Sequence, residues 1–144
     1  MKFVPYLSFD GNTEEAFAFY GKVLGGQTTA LLRFGDTPGC DGMPAADKNK
    51  VMHARFEVGD QVLLATDATP DHPYQSNRGM QLTIQVKEPA EAERVFAALA
   101  EGAQSVIMPI AETFWSVRFG MLVDRYGTPW MINCEQMPAG AEGC

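Results

Sequence analysis

Two stretches decide how this chain is read: residues 12–26, NTEEAFAFYGKVLGG, and residues 88–102, EPAEAERVFAALAEG. In the first, Asn12 is placed to cap a helix, with Glu15 three residues on as in a capping box. Ala16, Phe19, Tyr20, Val23 and Leu24 then recur at helical spacing along one apolar face, and Gly25-Gly26 stops the helix. In the second, Pro89 stands at the first turn, Ala92, Val95, Phe96 and Leu99 form the face, and Gly102 is the stop. A shift of 76 residues lays Ala16, Phe19, Tyr20 and Val23 on Ala92, Val95, Phe96 and Leu99, and Gly26 on Gly102. Amphipathic helices resemble one another, so the match gains its meaning from the elements on either side.

Those elements come in the same order twice. Before the first helix, residues 3–9 are apolar and aromatic and read as a strand, with Pro5 at an edge or an irregular point. After it comes a strand over 28–34, then a Gly/Pro/Asp-rich stretch, 35–50, of the length that in a compact domain is functional or disordered. Residues 51–58 alternate, Met52, Ala54, Phe56 and Val58 against His53, Arg55 and Glu57, and Gly59-Asp60 turns the chain into a strand over 62–66. Beyond a loop at 67–79, the second half repeats the pattern: a strand over 80–86, the helix, strands near 105–110 and 117–123, a turn at 124–127, and a strand over 129–134. The expected organisation is one domain over 1–137, with module 1 about 1–67, a linker 68–79, module 2 about 80–137, and a frayed tail 138–144.

Composition bounds the function. With 144 residues, 46% of them hydrophobic, the chain suits one well-buried core. It contains no run of about 18 apolar residues, and MKFVPYLSFDG reaches Asp10 before a signal-peptide core forms, so a soluble, cytoplasmic protein without a membrane partner is expected. A formal charge of -7 repels phosphate backbones and anionic surfaces, which argues against nucleic acid. Cys40, Cys134 and Cys144 are odd in number and lack metal-type spacing, as in a reduced compartment. The sequence shows no G-x-S-x-G, no P-loop, and no serine or cysteine near both a histidine and a motif-like carboxylate.

At this point the residues resemble a known family. Pro5 to Phe9 followed by Gly11-Asn12, Ala16, Phe19-Tyr20 and Leu24-Gly25 is similar to the opening of PhnB-like proteins of the vicinal oxygen chelate (glyoxalase/bleomycin-resistance) superfamily. Val51 to Ala54 with Gly59-Asp60 resembles their first hairpin, and Phe114-Trp115, Arg118, Gly120, Asp124, Gly127 and Trp130 resemble their closing signature. Ser116-Val117 and Arg125-Tyr126 stand where that signature has a Gly-Asp and a Pro-Phe pair. The resemblance implies an α+β fold of two βαβββ modules forming a curved eight-stranded mixed sheet around a cleft, with helices on the convex face, and a homodimer. Some members carry a methyltransferase-type label connected with demethylubiquinone, but this chain has no Gly-rich strand-to-helix loop of the kind that binds a nucleotide-like methyl donor.

Metal-dependent members of the superfamily place ligands in the first and last strand of each module. Carried over position by position, the resemblance puts Pro5, Leu64, Gln81 and Met131 there, and of these Gln81 alone has a ligating group suited to a hard cation. No metal and no cofactor are therefore expected. His53 reads as a hydrogen-bonded strand histidine, with a ligand or base role as the alternative, and His72 as a loop histidine. Arg118 lies opposite the apolar stripe Val117, Phe119, Met121 and Val123, and Arg55-Phe56 echoes Arg118-Phe119. If that opposite face is the concave one, Tyr6, His53, Gln81, Trp115, Arg118, Trp130 and Met131 are the cleft candidates. A guanidinium in an aromatic pocket would favour a carboxylate, phosphonate or enolate oxygen. For Arg55 a solvated surface is the competing reading, and for Trp115 and Trp130 it is a core position. The expectation is a metal-free, dimeric protein that binds a small organic or anionic molecule. The alternatives are a metal-dependent glyoxalase- or dioxygenase-type enzyme on a small carbonyl substrate, the methyltransferase-type activity of the family label, and a subunit that binds another protein.

Overall fold

The computed structural model describes residues 1–140 and divides the chain into two compact units, residues 1–75 and 76–144. The tail expected from Pro138 onward therefore runs into residues 141–144, outside the described residues. In the first unit β1 (Tyr6–Phe9), α1 (Thr13–Leu24), β2 (Gln27–Arg33), the short α2 (Ala45–Lys48), β3 (Val51–Val58) and β4 (Gln61–Asp67) follow one another. The sheet order is β1-β4-β3-β2, with β1 parallel to β4 and the other pairs antiparallel. The second unit has β5 (Leu82–Val86), α3 (Pro89–Ala100), β6 (Ser105–Ala111), β7 (Phe119–Val123) and β8 (Pro129–Cys134) in the matching order β5-β8-β7-β6. The eight strands of the expected fold thus form two hydrogen-bonded sheets of four. The helices lie 76 residues apart, as the duplicated pattern requires.

Each helix covers one face of its own sheet. In the first unit Leu7, Phe9, Ala54, Phe56 and Ala65 meet Ala16, Phe17, Tyr20 and Val23 of α1, and all are buried. Phe17 lies 5.4 Å from Phe56 and 6.2 Å from Phe9, centroid to centroid. Burial of each such aromatic side chain contributes about 1.5–3 kcal/mol. The buried stripe runs through Phe17, with Phe19 half-buried beside it, whereas the sequence reading placed Phe19 on the face. Thr13, Ala16, Phe17, Tyr20 and Val23 satisfy the i, i+3, i+4 spacing equally well, and packing against Phe9 and Phe56 decides between them.

The expected capping box is not made either. Asn12 is the N-cap residue but its side chain does not bond the helix. The Thr13 N–H is taken instead by the buried Asp67 Oδ1 at 3.0 Å, and that carboxylate also accepts from Thr13 Oγ1 at 2.7 Å and from Val51 N–H at 2.8 Å. One carboxylate thereby joins β4, β3 and the start of α1, and a tertiary partner replaces the local cap.

In the second unit Ala92, Val95, Phe96 and Leu99 of α3 are buried as expected, against Val86, Leu122, Trp130, Ile132 and Cys134. Pro89 stands at the helix start, as expected. Phe96 lies so close to Gly120 that a Cβ there would come within 2.6 Å of its ring, so β7 presents bare backbone to the helix at that point. Among the described residues no helix is long and apolar enough to cross a membrane.

Candidate ligand-binding faces

The side chains that alternate away from each helix define the uncovered face of its sheet. In the first unit the register sets Tyr6 beside Leu64 and Leu64 beside Arg55, with Leu32 beside His53. Tyr6 and His53 meet across β4: Tyr6 Oη lies 3.3 Å from His53 Nδ1, and the rings are 5.9 Å apart. Tyr6 is 54% exposed, so this polar pair faces outward rather than into the core. Arg55 shares the face but is held 3.3 Å from Glu57, both partly exposed. Hydrogen bonding from Thr29 and then from Arg55 lowers Glu57 below the ordinary glutamate pKa.

In the second unit Thr83 and Met121 flank Met131, and Gln85 and Phe119 flank Asn133. Trp115, in the loop before β7, stands edge-on to Phe119 at 5.2 Å and to Phe114 at 4.7 Å, and remains 39% exposed. Its loop is pinned by Ser116, whose buried hydroxyl lies 2.8 Å from Arg118 O and 2.9 Å from Cys134 O.

The structure therefore sorts the sequence candidates. Tyr6 and His53 come together, and Met131 and Trp115 stand on or beside the uncovered face of the second sheet. Arg118 does not join them. Its Nε donates to Glu93 Oε1 of α3 at 2.6 Å, on the helix side, and this partner raises its pKa. The alternation along residues 117–124 was legible, but its inward side was taken in reverse. Gly120 and Leu122 face the helix, and the apolar Phe119 and Met121 look away from it. A glycine carries no side chain to announce that it is the core position. The echo of Arg55 in Arg118 fails for the same reason, since Arg55 pairs across to Leu64 on the uncovered face.

Trp130 is 2% exposed, and its Nε1 donates to Asp124 Oδ2 at 2.8 Å. The same carboxylate accepts from the backbone N–H of Tyr126 at 2.8 Å and of Thr128 at 3.0 Å. Asp124 and Trp130, both in the closing signature, thus tie the β7–β8 turn to the core. Gln81 precedes β5 and is exposed. Asn133, a polar alternative beside the ligand position at Met131, shares its face with Met131, as the alternation of PWMINC sets both opposite Trp130, Ile132 and Cys134; Gln85 and Phe119, which flank it, carry no signal of their own in the sequence.

The residues present do not fit a hard-cation centre. Paired register and facing put Tyr6, Leu64, Thr83 and Met131 in equivalent positions of the two sheets, one residue on from Pro5, which precedes β1, and two on from Gln81, which precedes β5. A phenol, an alcohol, a hydrocarbon and a thioether supply neither carboxylate nor imidazole. Pro5 offers only its carbonyl, which accepts from Leu64 N–H at 3.0 Å. No three His, Cys, Asp or Glu side chains among the described residues are grouped to hold a metal.

Two four-stranded mixed sheets, each backed by a helix in a βαβββ order, define the vicinal oxygen chelate class of fold. Solved structures of a glyoxalase/bleomycin resistance protein/dioxygenase and of a fosfomycin resistance protein share it at under 20% identity, which is a likeness of fold alone. The family model described as 3-demethylubiquinone-9 3-methyltransferase matches residues 1–133, and the chain belongs to that family, the PhnB-like branch of the superfamily. Protein YjdN of Escherichia coli (strain K12) is 33% identical over 142 residues, covering 92% of this chain and 95% of YjdN. The crystal structure of PA1353 from Pseudomonas aeruginosa is 50% identical with a TM-score of 0.85, over 94% of this chain and 98% of that one. The PhnB protein of Bacillus cereus is 26% identical with a TM-score of 0.78, over 93% and 99% of the two chains.

Proposed function

We propose that this protein is a metal-free small-molecule binding protein, a homodimer in solution, that holds its ligand on the sheet faces its helices leave uncovered. The observation that carries the reading is the pairing of Tyr6 with His53 on an exposed face, where a core would have hidden both. A phenol and an imidazole in contact provide directional donors and acceptors beside apolar Leu64 and Leu32, and this mixture of a few polar groups in an apolar surround suits a small organic ligand. The exposed Trp115 edge and the thioether of Met131 give the second sheet a comparable surface. The poor donor set at the superfamily's metal positions supports the metal-free part, and Arg118, held by Glu93, is left out of the ligand contacts.

Trp115 makes the reading testable. A panel of small carboxylates, phosphonates, amides and aromatic alcohols is titrated against the intrinsic fluorescence of the protein and of Trp115→Phe, in which Trp130 alone reports. Saturable change in the parent that disappears in Trp115→Phe, and that weakens at least several-fold in His53→Phe, is the expected result. Indifference of both proteins to the whole panel would remove the proposal.

A further inference from the structure

We propose that Gln85 and Asn133 form a recognition subsite for a cis-amide, that is, a lactam, imide or ureide ring presenting an N–H beside a C=O. This rests on the small-molecule-binding reading above and names the ligand chemistry for the second sheet. Asn133 stands between Gln85 and Phe119 in the register of the uncovered face. Its Nδ2 donates to Gln85 Oε1 at 3.0 Å, while its Oδ1 is buried and has no hydrogen-bond partner. Leaving an amide oxygen buried and unpaired is costly, and native structures keep few such groups, so Asn133 Oδ1 offers an open acceptor position to an arriving donor. Asn133 as a whole is only half-buried, and on this proposal its side-chain amide turns on binding to present that acceptor to the ligand.

The geometry narrows what the partner is. Once Gln85 Oε1 is engaged, its Nε2 remains as a donor on an exposed residue, next to the unpaired acceptor of Asn133. One donor and one acceptor side by side complement a cis-amide. Turning both side-chain amides over exchanges their roles and leaves the pair complementary to the same group in the opposite direction, so the choice of oxygen and nitrogen does not affect the conclusion. A carboxylate would set one oxygen against Asn133 Oδ1, and a hydrocarbon would leave Oδ1 as unpaired as before. Phe119, paired with Asn133, is itself buried, so the aromatic surface for a planar ring is the exposed part of Trp115, whose ring packs 5.2 Å from Phe119.

The test uses the full chain and uracil as a simple ureide probe, with 1,3-dimethyluracil, which keeps the ring and carbonyls but has no N–H, as its control. Side-chain amide signals of Gln85 and Asn133 and the Trp115 indole signal are followed by two-dimensional NMR through millimolar titrations. Uracil is expected to shift all three, with 1,3-dimethyluracil at least ten-fold weaker, and Gln85→Leu and Asn133→Leu are each expected to weaken uracil at least ten-fold. Equal affinity for the two probes in the parent protein would overturn the proposal, and so would uracil binding that survives Gln85→Leu, an exposed position where folding is not at risk. If uracil leaves these amides unmoved while other molecules shift Tyr6 and His53, the subsite is wrong and the wider reading stands. Silence at every one of these residues toward every probe removes both.

Discussion

Asp124→Asn separates a structural from a functional reading of the closing signature. The carboxylate is fully buried and divides its work, Oδ1 taking the N–H groups of Tyr126 and Thr128 and Oδ2 the Trp130 indole. An asparagine keeps one oxygen. If it stays on the turn, the new NH2 faces the indole N–H, donor against donor, and one hydrogen bond to a charged group is lost. At roughly 1–3 kcal/mol for each buried group left unpaired, the expected cost is about 2–4 kcal/mol. Asp124→Ala, which strands all three donors, should cost about 5 kcal/mol, in the range reserved for broken buried networks. Urea unfolding followed by circular dichroism measures both, and the cycle with Trp130→Phe should recover at least about 1 kcal/mol, because the clashing indole is gone. A change below about 0.5 kcal/mol for Asp124→Asn would refute the reasoning. Loss of ligand binding at unchanged stability would assign the signature to function instead.

Other substitutions probe the packing and the charges. Gly120→Ala should destabilise by about 1–3 kcal/mol, since its methyl group would meet the Phe96 ring within 2.6 Å, and thermal melts of the variant and of a Gly120→Ala/Phe96→Leu pair show whether relieving that contact restores stability. Arg118→Ala should leave ligand titrations unchanged and shift the thermal melt only slightly, as befits a partly exposed, solvent-screened ion pair; a large loss of binding would return Arg118 to the ligand site. Glu57 has a lowered folded pKa, so its contribution to stability is present above its unfolded pKa and is lost as the pH falls through the folded one. Carboxyl-detected NMR should show its titration moving up toward the ordinary glutamate value in Thr29→Val and in Arg55→Gln, and an unmoved curve in both would discard the assigned cause.

Much of this architecture is written in local pattern. The α3 face and the register of the two amphipathic helices follow from spacing alone, and the β3–β4 hairpin from an alternation closed by Gly59-Asp60. What local pattern could not supply is which side of an alternating strand faces a helix. For β3 the bulky Phe56 answers the question; for β7 the core position is Gly120, and the reading inverted, carrying Arg118 to the wrong face. The cap of α1 was missed because its acceptor, Asp67, lies 54 residues away in sequence. The contact of Tyr6 with His53 spans 47 residues and emerged as a pair only through strand register, although each residue was a candidate by type. Trp130 shows the converse: a large aromatic in a recognisable motif is as good a core residue as a pocket wall until its burial is known.

Native mass spectrometry of the purified full-length protein, without added metal or chelator, tests the central claim most directly. The account predicts a metal-free dimer that carries or accepts a small organic adduct, with the adduct's occupancy reduced in His53→Phe. One divalent ion per chain, lost on chelation and lost again on substitution of His53 or Gln81, would contradict it and place a metal-dependent enzyme in its stead.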